Sequence, residues 1–269
     1  MLSLAFLTQH RKQQAVAIAL ANTGYLVYEV DDFDTDTFGT FTGEIARLDS
    51  QSDTALKKAQ MACELSGNRF GLGSEGCFGA DPMLGMLPWG TEVLAFWDAE
   101  LNYAIYGWVQ GAQTNYNHTT VTTMQQAQQF ANRIGFPLHG IIVGQANQPI
   151  FNKDLNSDAA LAAYLTPLLL SGDPIDLNTD MRANRNPTRR LMLARCAEAL
   201  AQKLNCACPQ CHAAGFAITK HSAGALCEYC HLPTTMPKAS VWHCPLCQFE
   251  QIQTIDTRAT QGQCQYCNP

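Results

Sequence analysis

The sequence predicts an α/β domain with a mixed sheet, followed by a cysteine-rich module folded around metal. Three observations carry this. Short apolar, strand-like runs alternate with longer helical stretches as far as residue 205. Cysteine is sparse up to that point (Cys63, Cys77, Cys196), and nine cysteines follow it. Eight of those nine fall in Cys-x-x-Cys pairs.

Taken in order, Leu2–Leu7 and Tyr25–Val30 read as strands around a helix at 12–22. Ser50-x-x-Asp53 starts a second helix, and Gly67 stops it. Ala55, Leu56, Ala59, Ala62 and Cys63 give that helix one apolar face. Strands are expected at 70–74, 92–97, 103–109 and 140–143, with Asp98-Ala-Glu-Leu-Asn102 as a hairpin turn. Further helices are expected at 123–134, 157–170 and 187–204. The expected organisation is thus an α/β ligand-binding or catalytic domain at 1–205 and a double zinc-ribbon module at 206–269.

Net charge is −6, so no global positive field draws nucleic acid or acidic lipid. No apolar run reaches the length of a membrane span, and the apolar N-terminus lacks a basic lead-in, so it reads as the first strand. Paired cysteines point to metal in a reducing compartment, and a cytoplasmic location is expected.

The pairs are Cys208/Cys211, Cys227/Cys230, Cys244/Cys247 and Cys264/Cys267. Each knuckle brings two thiolates to an ion, and two knuckles complete a tetrahedral shell, so two structural zinc ions are expected. Joining the knuckles in sequence order, first with second and third with fourth, leaves loops of 15 and 16 residues, long enough for a hairpin. That pairing is the expected one. Cys206 is spare, and His212, His221, His231 and His243 are not needed as ligands. The module carries three basic residues (Lys220, Lys238, Arg258) and three acidic ones (Glu228, Glu250, Asp256). Two zinc ions and eight thiolates add +4 − 8 = −4, so protein contact is expected rather than nucleic acid.

Four polar segments of the first domain are candidates for chemistry. Thr8-Gln-His-Arg-Lys12 joins a strand to a helix start, a place suited to an anion. Asp31-Asp-Phe-Asp-Thr-Asp36 and Gly39-Thr-Phe-Thr-Gly-Glu44 form an acidic stretch in which Asp36 or Glu44 suits magnesium; it reads equally as a solvated loop. Gly71-Leu-Gly-Ser-Glu-Gly76 matches a dinucleotide fingerprint in letters, but Gly79, Pro82, Gly85 and Pro88 forbid the helix that should follow, so dinucleotide binding is rejected. Glu75 there is well placed to meet a ligand, while Cys77 has no identifiable base. Arg182, Arg185, Arg189 and Arg190 crowd a helix start; they read either as a phosphate site or as anchors for acidic loops of the same domain or for the zinc module.

Thr8-x-His-x-Lys12, Asp34-Thr-Asp36, Gly39-Thr-Phe-Thr-Gly-Glu44, Ser74-Glu-Gly-x-Phe-Gly79, Asp180-Met-Arg-Ala, Asn186-Pro-Thr-Arg189 and the closing Cys267-Asn-Pro269 resemble an uncharacterised bacterial family, domain of unknown function 6671. The chain departs from it at Arg11, where glycine is usual, and at Cys77, where serine is usual. A fainter likeness, over residues 1–80, is to the inosine/xanthosine triphosphatases. It implies a nucleotide-pyrophosphatase-like fold. It also implies phosphate contacts at Lys12 and Lys58 and magnesium ligands at Glu44 and Glu75.

The leading expectation is a metal-dependent hydrolase of a phosphorylated, nucleotide-like ligand. Glu75, Glu44 and Lys12 form its catalytic set, and Asp36 joins the two glutamates as a magnesium ligand. Thr8, Lys12, Lys58, Arg182, Arg185 and Arg189 contact phosphate. The alternative is a non-catalytic protein that binds a small anionic ligand and meets a protein partner through its zinc ribbons.

Overall fold

A computed structural model describes residues 1–31, 33, 49–145 and 148–268. The acidic stretch holding Asp36 and Glu44 lies outside the described residues. The chain divides into two compact units, Met1–Ala201 and Gln202–Pro269.

In the first unit, β1 (Leu2–Leu7), α1 (Gln13–Leu20), β2 (Tyr25–Val30), α2 (Gln51–Ser66), β3 (Phe70–Ala80), β4 (Pro88–Asp98) and β5 (Tyr103–Gly111) build a five-stranded sheet of order β2-β1-β3-β4-β5. β1 runs parallel to both β2 and β3, and β3, β4 and β5 form an antiparallel meander, so the sheet is mixed as expected. Ser50 caps α2 by accepting from Asp53 N, and Gly67 ends it at φ 68°. α2 lies so close to β3 that a Cβ at Gly71 or Gly73 would stand 1.9 and 2.0 Å from the Ala59 and Ala55 carbonyls. Those glycines serve helix–strand packing, and β3 runs on unbroken to Ala80, in keeping with the rejection of a dinucleotide fingerprint. β3 extends past the end of β1: its last residue paired with β1 is Leu72, opposite Phe6, so Ser74 and Glu75 lie beyond the β1–β3 ladder.

A second sheet goes beyond the expected strands. β6 (His118–Val121), β7 (Ile141–Gln145), β8 (Gln148–Asn152) and β9 (Ile175–Thr179) pair antiparallel in the order β6-β9-β7-β8. α3 (Met124–Ile134) and α4 (Asp158–Leu170) contribute Phe130, Ile134, Leu161 and Leu165 to a core with Ile141, Val143, Ile175 and Leu177. After a short 3-10 turn at Ala183–Arg185 comes α5 (Pro187–Leu204), which packs on the first sheet: a Cβ at Gly107 would meet Cys196 O at 2.5 Å. Among the described residues, no helix is long and apolar enough to cross a membrane.

The second unit is a three-stranded antiparallel sheet, β10 (Ala217–Ala223), β11 (Pro237–His243) and β12 (Glu250–Thr254), with the cysteine knuckles at its ends.

Candidate functional sites

The knuckles alternate. Cys208, Cys211, Cys244 and Cys247 form one cluster and Cys227, Cys230, Cys264 and Cys267 the other, with the ligand atoms of each within 4.8 Å of one another. This corrects the sequence-order pairing. The residues between the first two knuckles do not turn back at once; they form β10, which spans about 20 Å. β11 returns antiparallel and sets the third knuckle beside the first. β12 leads away again and sets the fourth beside the second.

The clusters fit zinc. A tetrahedron with Zn–S near 2.3 Å has S–S edges of about 3.8 Å. Sγ–Sγ distances are 3.7 Å for Cys208–Cys247, 3.6 Å for Cys211–Cys244, 4.0 Å for Cys227–Cys267 and 3.6 Å for Cys230–Cys264. All twelve cysteines are free. Backbone N–H groups of Cys230 and Tyr229 pull the Cys227 thiol down to about 7. Its neighbour Cys267 is pushed up to about 12, first by its contact with Cys230. Four crowded thiols cannot all ionise without a cation among them, and a divalent ion removes that obstacle. His212 and His231 have a conformational role: each follows a knuckle at φ 61°, and its N–H returns to the carbonyl of the first cysteine, Cys208 at 2.9 Å and Cys227 at 3.1 Å. Gln248 repeats the turn after the third knuckle at φ 64°.

The first unit gathers charge where β3 runs past the end of β1. Lys12, just past β1, is buried, and its Nζ donates to Ser74 Oγ at 2.9 Å. On the other face, Lys58 of α2 pairs with Glu75 at 2.6 Å, both buried. One position on, Gly76 leaves room for the pair of Arg189 with Glu92, at 2.5 Å and almost fully buried; a Cβ at Gly76 would stand 2.5 Å from Arg189 Nη2. Arg189 also donates to the Met181 carbonyl and lies 5.1 Å from the Phe78 ring centroid.

Among the described residues, three cations (Lys12, Lys58, Arg189) meet two carboxylates (Glu75, Glu92); Lys58 and Arg189 hold the carboxylates, and Lys12 does not. Among the described residues its partner is a neutral hydroxyl. Burial first, and then the charge of Arg189, lower Lys12 to about 7. His10 is lowered to about 4 by burial and then by Lys12, Arg189, Arg182 and Lys58, so its imidazole is neutral at physiological pH. Thr8 Oγ1 is buried with no hydrogen-bond partner among the described residues.

Several expected phosphate contacts spend their charge on protein groups. Lys58 holds Glu75, and Arg189 holds Glu92. Arg182 grips Asp180 through Nε and Nη2 and reaches the Lys153 carbonyl, and Arg185 lies 3.9 Å from Asp180 and donates to the Leu155 carbonyl. Asp180 and Glu92 are fully buried, and these arginines compensate their charge. Cys77 is exposed on β3 opposite Thr91. Among the described residues, Glu75 joins no cluster of three potential metal ligands. His10, Ser74 and Glu92 belong to the site but are not among the residues that the sequence singles out; the first two lie in quoted motifs, whereas nothing local marks Glu92 within its apolar strand.

Fold and sites define an α/β unit with a buried cation-rich site at a parallel strand edge, joined to a module of two interleaved four-cysteine clusters. The chain belongs to the family described as Domain of unknown function (DUF6671), whose model matches residues 58–269. Lys58, Glu75, Arg189 and all eight paired cysteines fall inside the match, while Thr8, His10 and Lys12 precede it. No curated protein and no solved structure matches the chain.

Proposed function

We propose that the first unit binds a phosphorylated, nucleotide-like small molecule where β3 runs past the end of β1, with Lys12 as the principal phosphate contact. The observation that carries this is the buried amine: Lys12 is desolvated and lacks a carboxylate partner among the described residues. A buried ammonium is costly until an anion reaches it. Thr8 Oγ1 and neutral His10 offer further hydrogen bonds at the same strand end. The ends of parallel strands are where α/β folds take ligands.

A second reading is favoured by Glu75 beside this cation group: magnesium-dependent hydrolysis of the same ligand. Magnesium would be held by Glu75 together with Asp36 and Glu44, and would neutralise phosphate charge and activate water. Glu75 would have to release Lys58, which would then be free to meet phosphate. In both readings zinc folds the second unit, whose near −4 charge suits a protein partner better than a nucleic acid.

The test is a panel of nucleoside mono-, di- and triphosphates with magnesium, followed by thermal shift and by phosphate release. A shift lost in Lys12→Met supports binding, and release lost in Glu75→Gln supports hydrolysis. No shift with any member of the panel contradicts both.

A further inference from the structure

The charged site holds an arrangement that phosphate binding alone does not use. Ser74 is 1% exposed, and among the described residues its hydroxyl has Lys12 Nζ, at 2.9 Å, as its hydrogen-bond partner. Most side-chain hydrogen bonds go to backbone or water; this hydroxyl rests on a buried amine. Thr8 stands beside the pair. The β1–β3 register runs Ala5 opposite Gly71 and Phe6 opposite Leu72, and carried two positions on it brings Thr8 abreast of Ser74, on the same face of the sheet. Thr8 N still bonds to Val30 O at 3.2 Å, so the chain keeps its course along β2 at that position. Thr8 is 2% exposed, and its Oγ1 is buried without a hydrogen-bond partner among the described residues.

We infer that Ser74 is a nucleophile and Lys12 its general base, and that together they take a phosphoryl group from the ligand bound here. This rests on the phosphate reading above and adds a covalent step to it. The layout is that of an activated nucleophile: hydroxyl and base within hydrogen-bond reach, with an unspent donor alongside for the charge that develops. Serine–lysine pairs are a variant of the serine–histidine arrangement. As ammonium, Lys12 donates to Ser74 Oγ; as neutral amine, it accepts the hydroxyl proton over the same contact. Burial and then the charge of Arg189 bring Lys12 to about 7, so neutral amine is present at physiological pH. In the step, Ser74 Oγ bonds to phosphorus, the bond from phosphorus to the leaving oxygen breaks, and the hydroxyl proton passes to Lys12. The ammonium so formed faces the transferred phosphoryl group and gives its proton to the leaving oxygen. Water then attacks phosphorus, the Oγ–P bond breaks, and Ser74 regains a proton by way of Lys12. Nothing is oxidised or reduced.

The probe is a short-chain alkyl fluorophosphonate, offered to the full-length, zinc-loaded chain. Ser74 Oγ displaces fluoride from phosphorus, and mass spectrometry of the peptides locates the adduct. The expected result is an adduct on Ser74 that forms at least about 100-fold more slowly in Lys12→Met and in Lys12→Arg. Arginine keeps the positive charge but takes up no proton. Undiminished labelling in Lys12→Arg therefore overturns the inference, as does a folded wild type left unlabelled at Ser74. Should both lysine variants fail to fold, the wild type decides alone. An adduct on Ser74 in native buffer and none in urea upholds the inference, and equal labelling in both overturns it. The nucleotide panel separates the two readings. A thermal shift without labelling sinks the covalent step and leaves the binding site standing. Labelling without a shift from any nucleotide overturns the phosphate reading and the phosphoryl step with it.

Discussion

Lys12 Nζ and Ser74 Oγ meet at 2.9 Å across 62 positions of sequence, in a buried setting. The parallel pairing of β1 with β3 makes this contact: Phe6 lies opposite Leu72, so the turn after β1 comes down beside the residues that follow Leu72. A buried ammonium resting on a hydroxyl is poor compensation for lost water, and the first prediction follows from it.

Lys12→Met should stabilise the ligand-free protein while removing phosphate binding. The folded value is lowered from 10.5 to about 7. Between those pH values the unfolded chain binds more protons than the folded one, so stability from this group rises as pH climbs from about 7 towards 10.5. The cost near neutral pH is on the order of a few kcal/mol. Melting temperature measured across that range should rise with pH in the wild type and lose this component in the variant. A lower melting point for Lys12→Met at neutral pH would count against the account.

Glu92→Gln should be far more damaging. It leaves Arg189 buried beside a neutral amide, a change that costs about 3–5 kcal/mol. Glu92 also raises the Lys12 value, so its loss should leave Lys12 less charged at neutral pH. Urea unfolding gives the first effect, and a weaker phosphate affinity at neutral pH gives the second. A near-neutral variant would mean that the pair is not buried as described.

Arg11 adopts φ 51°, a left-handed backbone that glycine takes without steric cost. Arg11→Gly should be neutral or stabilising by up to about 1 kcal/mol, because relief of the left-handed backbone offsets the added entropy of the unfolded chain. Loss of more than that in chemical denaturation would show that the Arg11 side chain has another role.

Zinc analysis should give two ions per chain, and the interleaved clusters predict that they are interdependent. β10 and β11 each run between the two clusters, so Cys208→Ser should weaken both sites and expose 208–267 to protease. Sequence-order pairing would leave the Cys244–Cys267 half intact. Cadmium-113 correlation spectra should connect one ion to the β protons of Cys208, Cys211, Cys244 and Cys247.

Much of the fold is legible in the sequence because hydrophobic period and end signals are local. The five α-helices among the described residues and the strands of the first sheet are readable, with Ser50 and Gly67 marking α2 as expected. The glycines after Ser74 suggest that β3 ends there, yet pairing with β4 carries it to Ala80. β6, β8 and β9 are four or five residues long; Ile175-Asp-Leu-Asn-Thr179 does alternate, but it is brief and stands directly after a proline. The cysteine ligands can be read from spacing, but their pairing cannot. Loop length fits either scheme, and the outcome depends on β10 forming a full strand between knuckles. At the charged site, residue types announce cations and carboxylates; Arg182 and Arg185 meet Asp180 within their own segment, while the meeting of Arg189 with Glu92 is decided by packing across 97 positions.

The central claim, that Lys12 is the charge waiting for a phosphate, is tested most directly by the proton balance of binding. Pyrophosphate is titrated into the full-length protein by calorimetry at slightly alkaline pH, in two buffers of different ionisation enthalpy. An arriving anion raises the Lys12 value above about 7. The wild type should therefore take up a proton on binding, its affinity should weaken as pH rises above that value, and Lys12→Met should show neither binding nor uptake. Absence of binding by the wild type, or binding that Lys12→Met retains with the same proton balance, would contradict it.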